Sequence, residues 1–295
     1  MHPTVFLSFA SNFWPHSAVA VSSVLQHSSP INIHLFSDAS HPRWLQKLNS
    51  LATRSGADLR FHRFDASVVG NLKNCGHLGL STYYRLFIPD LFADTHDRLI
   101  YIDSDMVLRA SIRELDHHDI SGHVLAAVSG ISASANATNL ERLGCADASG
   151  YFNAGLMLIN PALWRRQDIT QQCLHFFDQH PERIRYADQD MLNYCLAGQW
   201  QKLPIEWNML VDNYGPIASD DLEDISLEQL EHARLNPKII HFNGQFKPWH
   251  FTYRHPFKSE YVRTRRSLQK TPYISDDFPG FLPEKLLRLC RNLIR

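Results

Sequence analysis

Cysteine, net charge and long apolar runs are all scarce in this 295-residue sequence. The five cysteines are scattered without a CxxC pair, which argues against a disulfide framework or zinc site and favours reduced thiols in a cytoplasm. The formal net charge of −1 gives no reason to expect a nucleic-acid partner. No stretch approaches the roughly 18 apolar residues of a membrane span. The apolar run near the N-terminus lacks a basic flank, so it predicts a first strand and not a signal peptide.

The charge is unevenly distributed along the chain. Residues 251–295 carry ten Lys/Arg against four Asp/Glu, a formal charge of +6 that leaves −7 for residues 1–250. This break predicts a main domain over 1–250 and a small basic helical C-terminal region over 251–295 that meets an anionic partner. Within it, residues 283–295 place leucines on one helical face and basic residues on the others. That pattern favours a helix on an anionic membrane surface over one docked on the main domain.

Short apolar runs alternate with helical patterns in the first half of the chain. Strands are predicted at 5–9, 31–36, 59–64 and 98–102, and helices at 18–26, from 42 and at 81–91. This alternation predicts an α/β fold with a mostly parallel central sheet, which binds ligands at the carboxyl ends of its strands. Further strands are predicted at 124–128, 155–160 and 238–242. The small residues at 129–138 indicate a mobile loop, and the acidic residues at 219–231 indicate a solvated face.

The most informative segment is residues 99–105 (LIYIDSD), a buried strand that ends in two carboxylates. Asp103 and Asp105 are two residues apart and therefore face the same side, so they could share a hard divalent cation. Taken alone, the pattern also fits acids that cap a loop or lie in solvent. It resembles the first motif of HAD-type phosphatases as well. The sequence has no Gly-Asp dipeptide, which those enzymes need later in the chain.

Four other segments carry polar residues at the ends of apolar runs. They are residues 81–85 (STYYR), 151–160 (YFNAGLMLIN), 188–193 (DQDMLN) and 241–249 (HFNGQFKPW). Together with the paired carboxylates, these segments resemble glycosyltransferase family 8, in particular its bacterial lipooligosaccharide galactosyl- and glucosyltransferases. The resemblance covers roughly residues 4–250. It implies a GT-A fold for nucleotide-diphospho-sugar transfer, a UDP-sugar donor, Mn²⁺ or Mg²⁺, and retention of anomeric configuration.

The resemblance also assigns roles to single residues at the metal and the diphosphate. Asp103 and Asp105 would bind the metal with His241 as the third protein ligand, and a neutral imidazole suits Mn²⁺ better than Mg²⁺. Gly244 would let the backbone approach the diphosphate, and Lys247 would offset its negative charge.

Other positions would hold the sugars and the base. The donor site would also contain Arg85, Ser104, Asn153, Ala154, Asp188 and Gln189. His77 and Tyr186 would face the acceptor. Asn12 and Phe13 match the family's base-binding positions, and Phe13 could stack on a planar base. The acid that usually precedes them is replaced by Ala10 or Ser11.

The chemistry is assigned to Asp188, Gln189 and Asp190. Retention can arise from a covalent intermediate on a side chain or from attack on the leaving-group face. Front-face attack is favoured because an amide such as that of Gln189 is a poor nucleophile. The expected substrates are UDP-galactose or UDP-glucose and a glycan or glycolipid acceptor, at the inner face of the cytoplasmic membrane. The alternatives are transfer to a protein-linked glycan and an inactive nucleotide-sugar-binding protein.

Overall fold

The computed structural model describes residues 2–70, 72, 74–75, 79–148, 150–269 and 275–277. Ten strands lie in this part of the chain: β1 Thr4–Phe9, β2 Asn32–Ser37, β3 Asp58–Arg63, β4 Leu99–Ile102, β5 Met106–Leu108, β6 Leu125–Ser129, β7 Phe152–Ile159, β8 Gln201–Lys202, β9 Met209–Leu210 and β10 Ile239–His241. The α-helices in the same part are α1 Trp14–Ser28, α2 Pro42–Arg54, α3 Tyr84–Phe92, α4 Arg113–Asp116, α5 Ala133–Leu143, α6 Pro161–Arg166, α7 Ile169–Gln179, α8 Asp188–Cys195, α9 Leu227–Leu235 and α10 Lys258–Ser267.

The central sheet has seven strands in the order β3-β2-β1-β4-β7-β6-β8. Strands β3, β2, β1 and β4 run parallel, as do β6 and β8, whereas β7 is antiparallel to both its neighbours. The sheet is therefore mostly parallel, as the alternating pattern predicts. The carboxyl ends of β1 and β4 meet at one edge of the sheet, where a ligand site is expected.

Alternate residues of the strands feed two separate cores. Val5 and Leu7 of β1 pack in the core beneath α1 and α2, whereas Phe6 between them packs in the other core with Tyr101. This period of two is the ordinary consequence of the pleat. Helices therefore cover both faces of the sheet, and the polar residues at the carboxyl ends of the strands stay uncovered.

A second sheet of three strands, β5-β10-β9, was not predicted from the sequence. Its antiparallel register places His241 opposite Met106, the residue that follows Asp105. The Phe242 backbone N–H also donates to the Asp105 carbonyl at 3.0 Å. This pairing brings His241 beside the carboxylates at the end of β4.

The predicted mobile loop at 129–138 is wrong over most of its length, because α5 begins within it. Ser132 caps this helix by accepting a hydrogen bond from the Ala135 N–H, and its own hydroxyl donates to Asp221 at 2.6 Å. The Ser134 N–H donates to the other oxygen of Asp221 at 2.8 Å. Asp221 is therefore a partner of α5 and not only part of a solvated acidic face.

The first part of the basic C-terminal region packs against the rest of the protein. Tyr261 of α10 is fully buried against α1, where its hydroxyl lies 2.8 Å from Nδ1 of His16. Lys258 donates to three backbone carbonyls, and Arg265 is buried over the ring of Trp44. The division near residue 250 stays a prediction, and the predicted helix at 283–295 lies outside the described residues. Within the described part, no helix is both long enough and apolar enough to span a bilayer.

Candidate active site

Asp103, Asp105 and His241 form a group that could hold a metal ion. One potential ligand atom from each lies within 4.8 Å of the others. Nε2 of His241 is 3.2 Å from Asp105 and 3.7 Å from Asp103. Two carboxylates and an imidazole are a donor set that suits a divalent cation such as Mn²⁺. The other ring nitrogen of His241 is 2.9 Å from Oδ1 of the buried Asn208, the kind of outer contact that orients a metal-binding histidine.

Lys247 lies next to this group. Its Nζ is 2.5 Å from Asp105 and also donates to the Phe242 carbonyl at 2.9 Å. Burial disfavours the charged form of Asp105, yet Lys247 and His241 together hold the pKa of its carboxyl well below the ordinary value. Gly244 lies between His241 and Lys247 in the sequence. Its φ is +80°, a left-handed conformation that glycine adopts without strain.

Arg85 connects the metal group to the start of α8. Its guanidinium donates to the Ala154 carbonyl at 2.7 Å and pairs with Asp103 at 2.8 Å and Asp188 at 3.0 Å. The group also lies over the ring of Tyr101, 4.4 Å from its centroid. The helix predicted at 81–91 begins with a 3-10 turn at Leu80–Tyr83, and α3, which carries Arg85, follows it. The buried guanidinium of Arg85 therefore holds the carboxylates of Asp103 and Asp188 in fixed positions.

Asp188 is almost fully buried beside Arg85. Burial raises the pKa of Asp188 to about 6, although Arg85 and the hydroxyl of Thr82 favour its charged form. Thr82 donates to Asp188 at 2.5 Å. The residue before it, Ala187, has φ +49°, which is a strained conformation for a residue with a side chain. The structure therefore holds Asp188 by side-chain contacts at the first turn of α8 and not as its N-cap.

Asn153 and Gln189 form a second polar wall. Nδ2 of Asn153 donates to Oε1 of Gln189 at 2.9 Å, and the Ala154 N–H donates to the same oxygen at 3.2 Å. Nε2 of Gln189 donates to the hydroxyl of Tyr151 at 3.1 Å. Both amide groups are thus fixed in orientation, and both residues line the cleft.

Asp190 differs from its neighbours because it faces away from the cleft. It is fully buried, and both its oxygens accept hydrogen bonds from Arg142. Tyr151 donates to it at 2.6 Å, and the backbone N–H groups of Arg185 and Tyr186 donate at 2.7 and 2.8 Å. Because its carboxylate accepts five hydrogen bonds, Asp190 holds the segment before α8 in place.

The expected base-binding residues lie at the end of β1. Asn12 and Phe13 line the cleft, and the Phe13 ring packs edge-on against Trp249 at 5.9 Å between centroids. Asp38, at the end of β2, accepts hydrogen bonds from the backbone N–H and hydroxyl of Ser11 at 2.7 and 3.1 Å. A carboxylate from the next strand therefore fixes the turn that carries Asn12.

Ser104 and the predicted acceptor residues complete the set. The hydroxyl of Ser104 accepts a hydrogen bond from Ser17 of α1 at 2.9 Å, so it anchors the turn between the two carboxylates. Tyr186 lines the cleft, is 46% exposed and lies over the Arg142 guanidinium at 5.8 Å. His77 lies outside the described residues.

Apart from Asp190, the predicted site residues that the structure describes line one open cleft of about 1170 Å³ at the carboxyl edge of the sheet. The metal group, Lys247, Arg85 and the Asn153–Gln189 wall all contribute to it. A cleft of this size can hold a nucleotide sugar together with part of an acceptor. A mostly parallel sheet with paired carboxylates and a histidine at this edge is the arrangement of a GT-A glycosyltransferase.

The chain belongs to glycosyl transferase family 8, whose model matches residues 4–253. It is 28% identical over 246 residues to general stress protein A of Bacillus subtilis, covering 82% of this chain and 85% of that protein. It is also 28% identical over 247 residues to a lipopolysaccharide 1,2-glucosyltransferase of Escherichia coli, covering 81% and 70%. The crystal structure of the galactosyltransferase LgtC with donor and acceptor sugar analogues matches with a TM-score of 0.78 at 25% identity, covering 95% of this chain and 100% of that one.

Several residues of the site were missed in the sequence. Thr82, Tyr151 and Asn208 fix side chains that line the cleft, Asp38 fixes the turn that carries Asn12, and Arg142 holds the buried Asp190. Thr82 and Tyr151 fall inside the motifs and could have been singled out as polar neighbours. Asn208 lies in a segment with no clear periodicity, so no local pattern indicates it.

Proposed function

We propose that this glycosyltransferase moves galactose or glucose from a UDP-sugar onto a glycan or glycolipid acceptor with retention of configuration. The acceptor class that we propose is lipooligosaccharide or lipopolysaccharide core, which the glucosyltransferase relative supports by its name. The observation that carries the proposal is geometric. Ligands for a divalent cation and the fixed amides of Asn153 and Gln189 open into the same cleft.

Asp103, Asp105 and His241 would hold Mn²⁺, which their mixed oxygen and nitrogen donors favour. When bound, this ion supplies positive charge that stabilises the departing diphosphate. Lys247 would support the same charge, because its ammonium already lies at the edge of the metal group and Gly244 leaves the backbone open there.

Asn153, Gln189, Asp188 and Arg85 would surround the donor hexose, whose hydroxyls need fixed donors and acceptors. A sugar that fails to pair with such fixed groups leaves them unsatisfied, and this cost gives selectivity. Asn12 and Phe13 would hold the uracil base. Tyr186, a partly exposed residue of the cleft lining, would face the acceptor together with His77.

The surroundings of Asp190 and Gln189 support front-face attack over a covalent intermediate. Asp190 lies behind the wall with five donors on its oxygens, so its carboxylate is not free to attack an anomeric carbon. The Gln189 carbonyl already accepts two hydrogen bonds, which lowers its nucleophilicity further. Asp188 and Gln189 would therefore orient the sugar, while the acceptor attacks from the side of the leaving group.

We expect the purified protein to release UDP from UDP-galactose or UDP-glucose in the presence of Mn²⁺, and not after treatment with EDTA. An array of nucleotide sugars, each tested with and without Mn²⁺, measures the donor preference. NMR coupling constants of the glycoside formed should show an α linkage. Full activity in EDTA would contradict the metal assignment, and a β linkage would contradict retention. If the protein binds UDP but neither hydrolyses the UDP-sugar nor transfers its sugar, it is a binding protein only.

We also propose that the basic C-terminal region attaches the enzyme to the cytoplasmic face of an anionic membrane. Lys258 and Arg265 are committed to the fold, so this contact would draw on other basic residues of 251–295. Each basic residue near an anionic surface contributes about 1 kcal/mol, and salt weakens the attraction.

Deleting residues 283–295 should therefore lower binding to phosphatidylglycerol-containing vesicles while sparing UDP release from the soluble donor. Vesicles of phosphatidylcholine alone are the control, and sedimentation at rising salt measures the electrostatic part. If the shortened protein is insoluble or inactive on the soluble donor, the segment is instead a docked part of the fold.

A further inference from the structure

One backbone group, the N–H of Gly155, fixes the direction of the hydrogen bonds that link Asn153, Asn208 and His241. The Gly155 N–H donates to Oδ1 of Asn153 at 3.0 Å, and a backbone N–H can only donate. Oδ1 of Asn153 is therefore an acceptor at that position. The amide nitrogen of Asn208 lies 2.9 Å from the same oxygen, so Asn208 donates to it.

This direction fixes the other end of Asn208. With its nitrogen towards Asn153, its oxygen faces Nδ1 of His241 at 2.9 Å. An amide oxygen only accepts, so Nδ1 carries the hydrogen and Nε2 is the atom presented to Asp103 and Asp105. Asn208 is fully buried, and no rearrangement into solvent is available to it.

The same asparagine also acts on the sugar side. Asn153, held by Asn208 and Gly155, points its amide nitrogen at Oε1 of Gln189. Gln189 then donates to Tyr151, which donates to Asp190. A single buried amide thus stands between the metal group and the wall that faces the donor sugar.

We propose that Asn208 is a positioning residue of the transferase, which sets the tautomer of His241 for metal binding and orients Asn153 for the sugar. The effect of Asn208 on Asn153, its sugar arm, rests on the proposed function. Its effect on His241, its metal arm, depends only on the donor set of Asp103, Asp105 and His241. An asparagine with a merely structural role would affect stability but would leave metal affinity and donor kinetics unchanged.

Two substitutions separate the arms. Asn208→Asp keeps an oxygen for the N–H of His241 but replaces the nitrogen that donates to Asn153. It should bind Mn²⁺ in the presence of UDP at least as tightly as the wild type, while kcat/KM for the UDP-sugar falls by about tenfold or more. Asn208→Leu has a similar volume and removes both arms. Its Mn²⁺ affinity should fall by about 10- to 100-fold, the usual effect of losing an outer partner of a metal ligand.

Asn160→Leu is the matched control, because Asn160 caps α6 away from the cleft through a 3.0 Å bond to the Leu163 N–H. This variant should melt at a lower temperature with unchanged Mn²⁺ affinity and donor kinetics. Free Mn²⁺ is measured by electron paramagnetic resonance, and folding by circular dichroism.

The proposal is overturned if a folded Asn208→Leu protein keeps wild-type Mn²⁺ affinity, or if Asn208→Asp keeps wild-type donor kinetics. Should Asn208→Leu not fold, the aspartate variant still tests both arms, since loss of its Mn²⁺ affinity would also contradict the proposal. If the wild type binds Mn²⁺ with UDP but turns over no donor, the proposed function fails, and the Mn²⁺ comparison still decides the role of Asn208 towards His241.

Discussion

Replacing Asp105 with asparagine is expected to lower the rate of sugar transfer by about a thousandfold in a protein that stays folded. Asp105 has its two oxygens towards Lys247 and Nε2 of His241, so it lies at the centre of the charges that would hold the metal. A bound metal stabilises developing charge by several kcal/mol, and about 4 kcal/mol corresponds to a thousandfold change in rate.

The measurement is UDP release with Mn²⁺ varied, accompanied by a thermal melt. Asp147→Asn is the matched control, since Asp147 is exposed and lies outside the cleft. The control should keep wild-type activity. An Asp105→Asn protein that retains more than a tenth of the activity would contradict the assigned role of this carboxylate. Asp103→Asn is a less specific test, because Asp103 also pairs with Arg85 and accepts from Tyr101.

Replacing Asp190 with alanine should destabilise the protein by about 3–5 kcal/mol, the usual cost of removing one partner of a buried ion pair. The substitution leaves the guanidinium of Arg142, the hydroxyl of Tyr151 and two backbone N–H groups without their acceptor. For a domain of this size, the melting temperature should fall by roughly 10 °C.

Asp178→Ala, on the exposed face of α7, is the control and should change the melting temperature little. The double variant Arg142→Ala/Asp190→Ala should be less destabilised than the sum of the single variants, because the two side chains compensate one another. An Asp190→Ala protein with wild-type stability and no turnover would instead support a direct chemical role for this carboxylate.

Six of the seven strands of the main sheet could be predicted because each holds several apolar residues in a short run, whereas β8 consists of two polar residues and was not predicted. Asp103 and Asp105 could be predicted as a candidate metal pair for the same reason, since they follow directly on β4. The position of His241 could not be derived locally. It depends on the pairing of Met106 with a residue 135 positions later in the chain, and only the family resemblance indicated it.

The mistaken loop at 129–138 has the same origin. Serine and glycine have low helix preferences, but alanine favours a helix, and the start of α5 is held by Asp221, which accepts hydrogen bonds from Ser132 and Ser134. The orientation of Asp190 could not be derived from its motif either. The sequence groups it with Asp188 and Gln189, but the helix turns its side chain away from them, towards Arg142.

The charges around the end of β4 have a consequence for the order in which ligands bind. Three carboxyl groups, those of Asp103, Asp105 and Asp188, lie beside the two cations of Arg85 and Lys247. The site therefore has no surplus positive charge for a diphosphate, whose negative charges would be uncompensated in a partly buried place. A dication bound beside the diphosphate would offset them. Metal and nucleotide sugar should therefore show positive coupling, and by thermodynamic reciprocity each should raise the affinity of the other by the same factor.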